Sequence, residues 1–140
     1  MENLKASSNE FLLERSLSDT HKVNQQWASK IELWKLELTF FQKLLDIYGP
    51  NCENIDQKKE MDHFQNLLIY YSGELLDQYN QKVRRHEKLL KIIVSDPKTN
   101  EEPSYRNEHI ELENEINAFI KEFINYKKEF YSFMEKLMYW

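Results

Sequence analysis

From Trp27 to Tyr48 the large apolar residues Trp27, Ile31, Trp34, Leu38, Phe41, Leu45 and Tyr48 follow one another at alternating steps of four and three. Steps of that kind keep every member on one face of an α-helix, as in the seam of a coiled coil. The same alternation carries Leu112, Ile116, Phe119, Phe123, Tyr126, Phe130, Phe133, Leu137 and Trp140 along a single face of the C-terminal third. Between them, Met61, Phe64, Leu68, Tyr71 and Leu75 begin the same pattern. Tyr79 and Val83 then come at two successive steps of four, before His86, Leu90 and Ile93. An extra residue of this kind locally straightens a supercoil.

Only two stretches interrupt the pattern. At Tyr48-Gly49-Pro50-Asn51, glycine is expected in the left-handed cap conformation, and proline cannot extend the helix. From Ser95-Asp96-Pro97 to Glu102-Pro103-Ser104, two prolines bracket a polar segment, and Ser104 is placed to cap the helix that follows. The chain therefore divides into helical segments at about 18–48, 57–95 and 104–139. Two glycines in 140 residues leave few of the turns that a sheet protein needs. Short connections predict antiparallel neighbours, hence an all-α, elongated up-down-up bundle of three long helices in one domain, 18–140. The tail, 1–17, is expected to be partly mobile or to form a short fourth helix through Phe11, Leu12, Leu13 and Leu17.

The first segment carries more apolar residues than its seam requires. Leu33, Leu36, Phe40, Leu44 and Ile47 make a second stripe about 130° round the helix, at about 100° per residue. A peripheral helix of a three-helix bundle does not need both. The stripe is expected to be covered, by the tail folded back or by a protein partner or second copy, because large exposed apolar patches are rare on soluble monomers.

Four histidines and one lysine fall where chemistry could sit. Antiparallel packing brings His21, His86 and His109 to one end, with Glu113 one turn beyond His109. Inward imidazoles and carboxylates from neighbouring helices are how bundles hold metals, so these four form an alternative metal site. The His109-x-x-x-Glu113 spacing is similar to one fragment of the hemerythrin pattern, whose other ligands have no counterparts at matching depths. Glu60-x-x-His63 has the spacing of a di-iron carboxylate motif but occurs once, where such a site uses it on two helices. Lys127, between Phe123 and Phe130, lies on the apolar face at the level of Glu37 and Ser72, and is expected to pair with Glu37 in a polar layer of the core.

The remaining signals exclude more than they suggest. Nucleophile motifs, phosphate-binding glycine loops and zinc-type cysteine pairs are absent, so neither an enzyme nor a resident cofactor is expected. A net charge of −5 argues against nucleic acid. The basic run Lys82 to Lys91 is expected to face the glutamates that open the third segment. No apolar run reaches the roughly 18 residues of a membrane span, and the start lacks the apolar core of a signal peptide. With Cys52 alone and unable to form an internal disulfide, the expectation is a cytoplasmic, non-catalytic bundle that works through protein contacts and self-association.

Overall fold

The computed structural model describes the backbone of residues 2–96 and 98–138, and side chains from residue 17 onward. Its elements are α1 (Glu2–Tyr48), a 3-10 turn (Gly49–Asn51), α2 (Ile55–Tyr70), a π turn (Tyr71–Leu75), α3 (Leu76–Ser95) and α4 (Glu102–Met138), with no strand among the described residues. Because α2, the π turn and α3 are continuous, the fold consists of three long helices.

The chain before residue 18 continues α1 instead of forming a separate short helix. No glycine or proline lies between Glu2 and Tyr48 to break it. Leu17, expected among the residues covering the second stripe, packs against Leu90, Ile93 and Tyr105. The side chains of Phe11, Leu12 and Leu13, like Trp140, lie outside the described residues.

The connections differ from expectation in instructive ways. Gly49 has no positive φ. It sits in the 3-10 turn, where Cys52 N–H donates to its carbonyl at 3.1 Å. Its small size serves close approach instead: a Cβ there would lie 2.3 Å from Met61 Cε. Asn54, in extended conformation, accepts from Gln57 N at 2.8 Å, and the Gln57 side chain accepts from Glu53 N at 2.7 Å. These two side-chain caps start α2 at Ile55, two residues ahead of the expected boundary. At the other connection α4 begins at Glu102, with Tyr105 N donating to Glu101 O at 2.9 Å. Pro103 sits in the first turn, where its missing N–H is no loss, and Ser104 is inside the helix instead of capping it.

The extra step in the second segment is a π turn. Leu76 N–H donates to Tyr71 O, an i to i+5 bond that absorbs one residue. The buried series becomes Phe64, Leu68, Tyr71, Leu76, Tyr79, Val83, His86, Leu90 and Ile93. Leu76, fully buried, takes the place expected for Leu75, and the steps of three and four resume after it.

The three helices meet in a defined register. Between α1 and the second long helix, His21 pairs with Glu87, Lys35 with Asp77 and Gln42 with Gln65. Trp27 stacks on His109 at 4.9 Å, Trp34 meets Phe119 at 5.0 Å, Phe41 meets Phe130 at 4.6 Å, and Asn51 Nδ2 donates to Leu137 O at 3.0 Å. The main core is an aromatic ladder in which Tyr126 OH also donates to Phe64 O at 2.9 Å. Leu90, Ile93 and Tyr105 form a second, smaller cluster.

Candidate functional site

The surplus stripe of α1 is open. Leu33, Leu36, Phe40 and Ile47 are between 55% and 64% exposed, while Leu44 is half-buried against the main core. A second exposed row, which the sequence reading passed over, lies on α4: Ile124, Tyr131 and Met138, between 44% and 49% exposed. Each follows a seam residue, Phe123, Phe130 or Leu137, so the signal was a seven-residue repeat one position off the seam.

The structure brings Lys127 and Glu37 together, and this contact puts the two rows side by side. Lys127 Nζ donates to Glu37 Oε2 at 3.1 Å and lies over the Phe123 ring at 4.6 Å. Lys127 is three residues after Ile124 and four before Tyr131, while Glu37 is four after Leu33 and three before Phe40. Side chains at those separations are surface neighbours on a helix, so the ion pair lies between the rows and joins them into one face. Tyr131 reaches across to the Phe41 ring, edge-on at 5.6 Å. Ser72, expected at this level, instead donates to Leu68 O in its own helix.

At one end of the seam the core turns polar. His86 is fully buried, and its Nε2 lies 2.8 Å from His109 Nδ1. The rings of Trp27, His109, His86 and Tyr105 form a stack, with His86 and Tyr105 parallel to within 4° at 3.9 Å. Buried Asn24 donates to Glu87 Oε2 at 2.8 Å and to Tyr105 OH at 3.4 Å. Burial, with help from neighbouring His109, lowers the His86 pKa to about 4. Burial also lowers that of His109, against the opposing pull of Glu113, and raises that of Tyr105 to about 12. Glu113 Oε2 lies 3.9 Å from His109 Nε2. One hydrogen bond joins His86 Nε2 and His109 Nδ1, and His86 Nδ1 and Asn24 Oδ1 are buried without a hydrogen-bond partner among the described residues. Asn24 and Thr20 were missed in the sequence, although extending the seam back from Trp27 by three and then four residues lands on both.

This arrangement does not unite the four residues of the alternative metal site. His86 and His109 direct facing nitrogens at each other, and His21 is turned to Glu87. Among the described residues no group of three or more His, Cys, Asp or Glu is placed to hold a metal. In the basic run, Lys82 pairs with Glu115 at 2.9 Å. Burial raises the pKa of the half-buried Cys52 thiol, which makes it a poor nucleophile. No helix among the described residues is long and apolar enough to cross a membrane. Comparison with protein-family models, curated proteins and solved structures found no match to the chain.

Proposed function

We propose that the chain is an elongated up-down-up bundle, each helix antiparallel to its sequence neighbours, that works without catalysis, through protein contacts and self-association. The pairs His21–Glu87, Lys35–Asp77 and Gln42–Gln65 support the antiparallel arrangement. The observation that carries the functional reading is the exposed apolar face centred on Leu33, Leu36, Phe40 and Ile47. Contiguous patches of this kind on a water-facing surface mark contact sites. The net charge of −5 favours a protein over a nucleic acid as the partner, and the reading places the bundle in the cytoplasm.

Light scattering tests the reading. The full chain is expected at a multiple of its 17.1 kDa mass. Leu36→Glu with Phe40→Glu is expected to return it to the single-chain mass with helicity kept. A full-length chain already at the single-chain mass overturns self-association.

A further inference from the structure

The spacing of the exposed face follows the period of the helix, and it is compatible with two-fold symmetry. On α1, Leu33 and Ile47 stand seven residues either side of Phe40, and Leu36 and Leu44 stand four either side. On α4, Ile124 and Met138 stand seven either side of Tyr131. The two midpoints lie at one level, since Phe40 and Tyr131 both contact the Phe41 ring, at 6.4 and 5.6 Å. Each row therefore reads alike in both directions about a common centre.

We infer that this face takes a second copy of the chain, in an antiparallel two-fold dimer whose axis lies within the face, across the helices, at the level of Phe40 and Tyr131. The inference rests on the self-association reading above and adds to it the occupant and the register. A two-fold interface is isologous, so the patch must complement itself. With the axis so placed, α1 packs on the α1 of the second copy, running the other way, and α4 packs on its α4. Leu33 then faces Ile47 across the interface, Leu36 faces Leu44, and Ile124 faces Met138, while Phe40 and Tyr131 meet their own counterparts. A two-fold axis along the helices would lay α1 on α4 instead, setting the row Leu33, Leu36, Phe40, Leu44 and Ile47 against the shorter row Ile124, Tyr131 and Met138.

Area and charge agree with a second copy. The seven exposed side chains, each roughly half uncovered, hold on the order of 700 Å² of surface, close to the ~800 Å² that each partner gives to an interface of standard size. The polar side chains between the rows, Lys127 and Glu37, are already paired with each other, so covering the face strands no lone charge. Two such pairs flank the axis symmetrically. The layer of α1 and α4 from both copies is then a four-helix arrangement with apolar side chains inside.

Cysteine cross-linking reads the register, and light scattering on the same samples reads association. In the full chain with Cys52→Ser, Phe40→Cys and Tyr131→Cys are each expected to form a covalent dimer on mild oxidation. Leu33→Cys alone is expected to stay uncrosslinked, and Leu33→Cys mixed with Ile47→Cys to link, because only cysteines brought within about 7 Å between Cα atoms can bridge. All four positions are exposed, and circular dichroism of each variant confirms that the helices are retained. A dimer by light scattering in which Leu33→Cys links to itself, or in which neither the Phe40→Cys nor the mixed sample links, overturns the two-fold register and leaves self-association standing. A single-chain mass throughout, with no cross-links, overturns both.

Discussion

His86 Nε2 and His109 Nδ1 lie 2.8 Å apart between α3 and α4, with Tyr105 stacked on one side of the pair and Trp27 on the other. Neither ring is easily protonated there, because burial disfavours the charged form of both. The unfolded chain binds protons at the ordinary value near 6.5, whereas folded His86 does so only near 4. Stability from this group is therefore complete above about pH 6.5 and is lost as pH falls toward 4, on the order of 3 kcal/mol in all. His109 contributes with the same sign. Urea unfolding across this interval is expected to show that loss, and His86→Phe, which keeps the ring stack but not the titration, to show a shallower one. Parallel pH profiles for the two proteins would contradict the assignment.

The Lys127–Glu37 pair is only about a quarter exposed on each side, at 24% and 26%. Lys127→Met removes a charge whose stem already lies among apolar neighbours, and is expected to change stability by less than about 1 kcal/mol. Glu37→Ala leaves the ammonium with the Phe123 ring alone, and is expected to cost about 1–2 kcal/mol, more than an ordinary surface change. Chemical denaturation of the two single variants checks the order. Equal, negligible effects would mean that the ammonium is solvated without its partner.

The π turn makes a further prediction about length. Deleting Gly73 brings Tyr71 and Leu76 to α-helical spacing and leaves the faces on both sides in phase, so the chain is expected to fold with stability within about 1–2 kcal/mol of the parent. Deleting Gln81, inside regular α3, rotates everything beyond it by about 100° and takes His86, Leu90 and Ile93 off the core face, costing several kcal/mol. Thermal unfolding followed by circular dichroism separates the two.

Gly49→Ala introduces a methyl 2.3 Å from Met61 Cε and 2.7 Å from its Sδ. The obstacle is the end of a flexible side chain, and the backbone there has no positive φ. The expected loss is about 1 kcal/mol, removed when Met61→Ala is added. A double-variant cycle without coupling would show that the glycine serves another purpose.

What the sequence made legible follows the regularity of the α-helix. Trp27 to Leu45 and Leu112 to Leu137 appear in the core as their spacing predicts, because 3.6 residues per turn turns steps of three and four into one face. The same rule chose Leu75 over Leu76, since no α-helical count represents a turn closed by an i to i+5 bond. Asn24 and Thr20 sit in the seam, where a pattern of apolar residues does not reach them, and Asn24 is held there by Glu87 and Tyr105. Among candidate site residues, the second stripe of α1 was visible as surplus. The row Ile124, Tyr131 and Met138 on α4 was present as a seven-residue repeat, but with three members it is too sparse to read as a stripe until the Lys127–Glu37 contact sets it beside that of α1.

The polar layer of Asn24, His86 and His109 also divides the molecule lengthwise. Among the described residues, the core beyond it is the small cluster of Leu90, Ile93 and Tyr105 with Leu17 and Leu89, whereas the aromatic ladder holds the remainder. Apolar contact is what makes separate turns of helix open together, and the layer interrupts it. The end nearest the α3–α4 connection, which holds the smaller cluster, is therefore expected to be a weaker cooperative unit than the rest. Its amide hydrogens are expected to exchange with solvent through an opening that leaves the ladder closed.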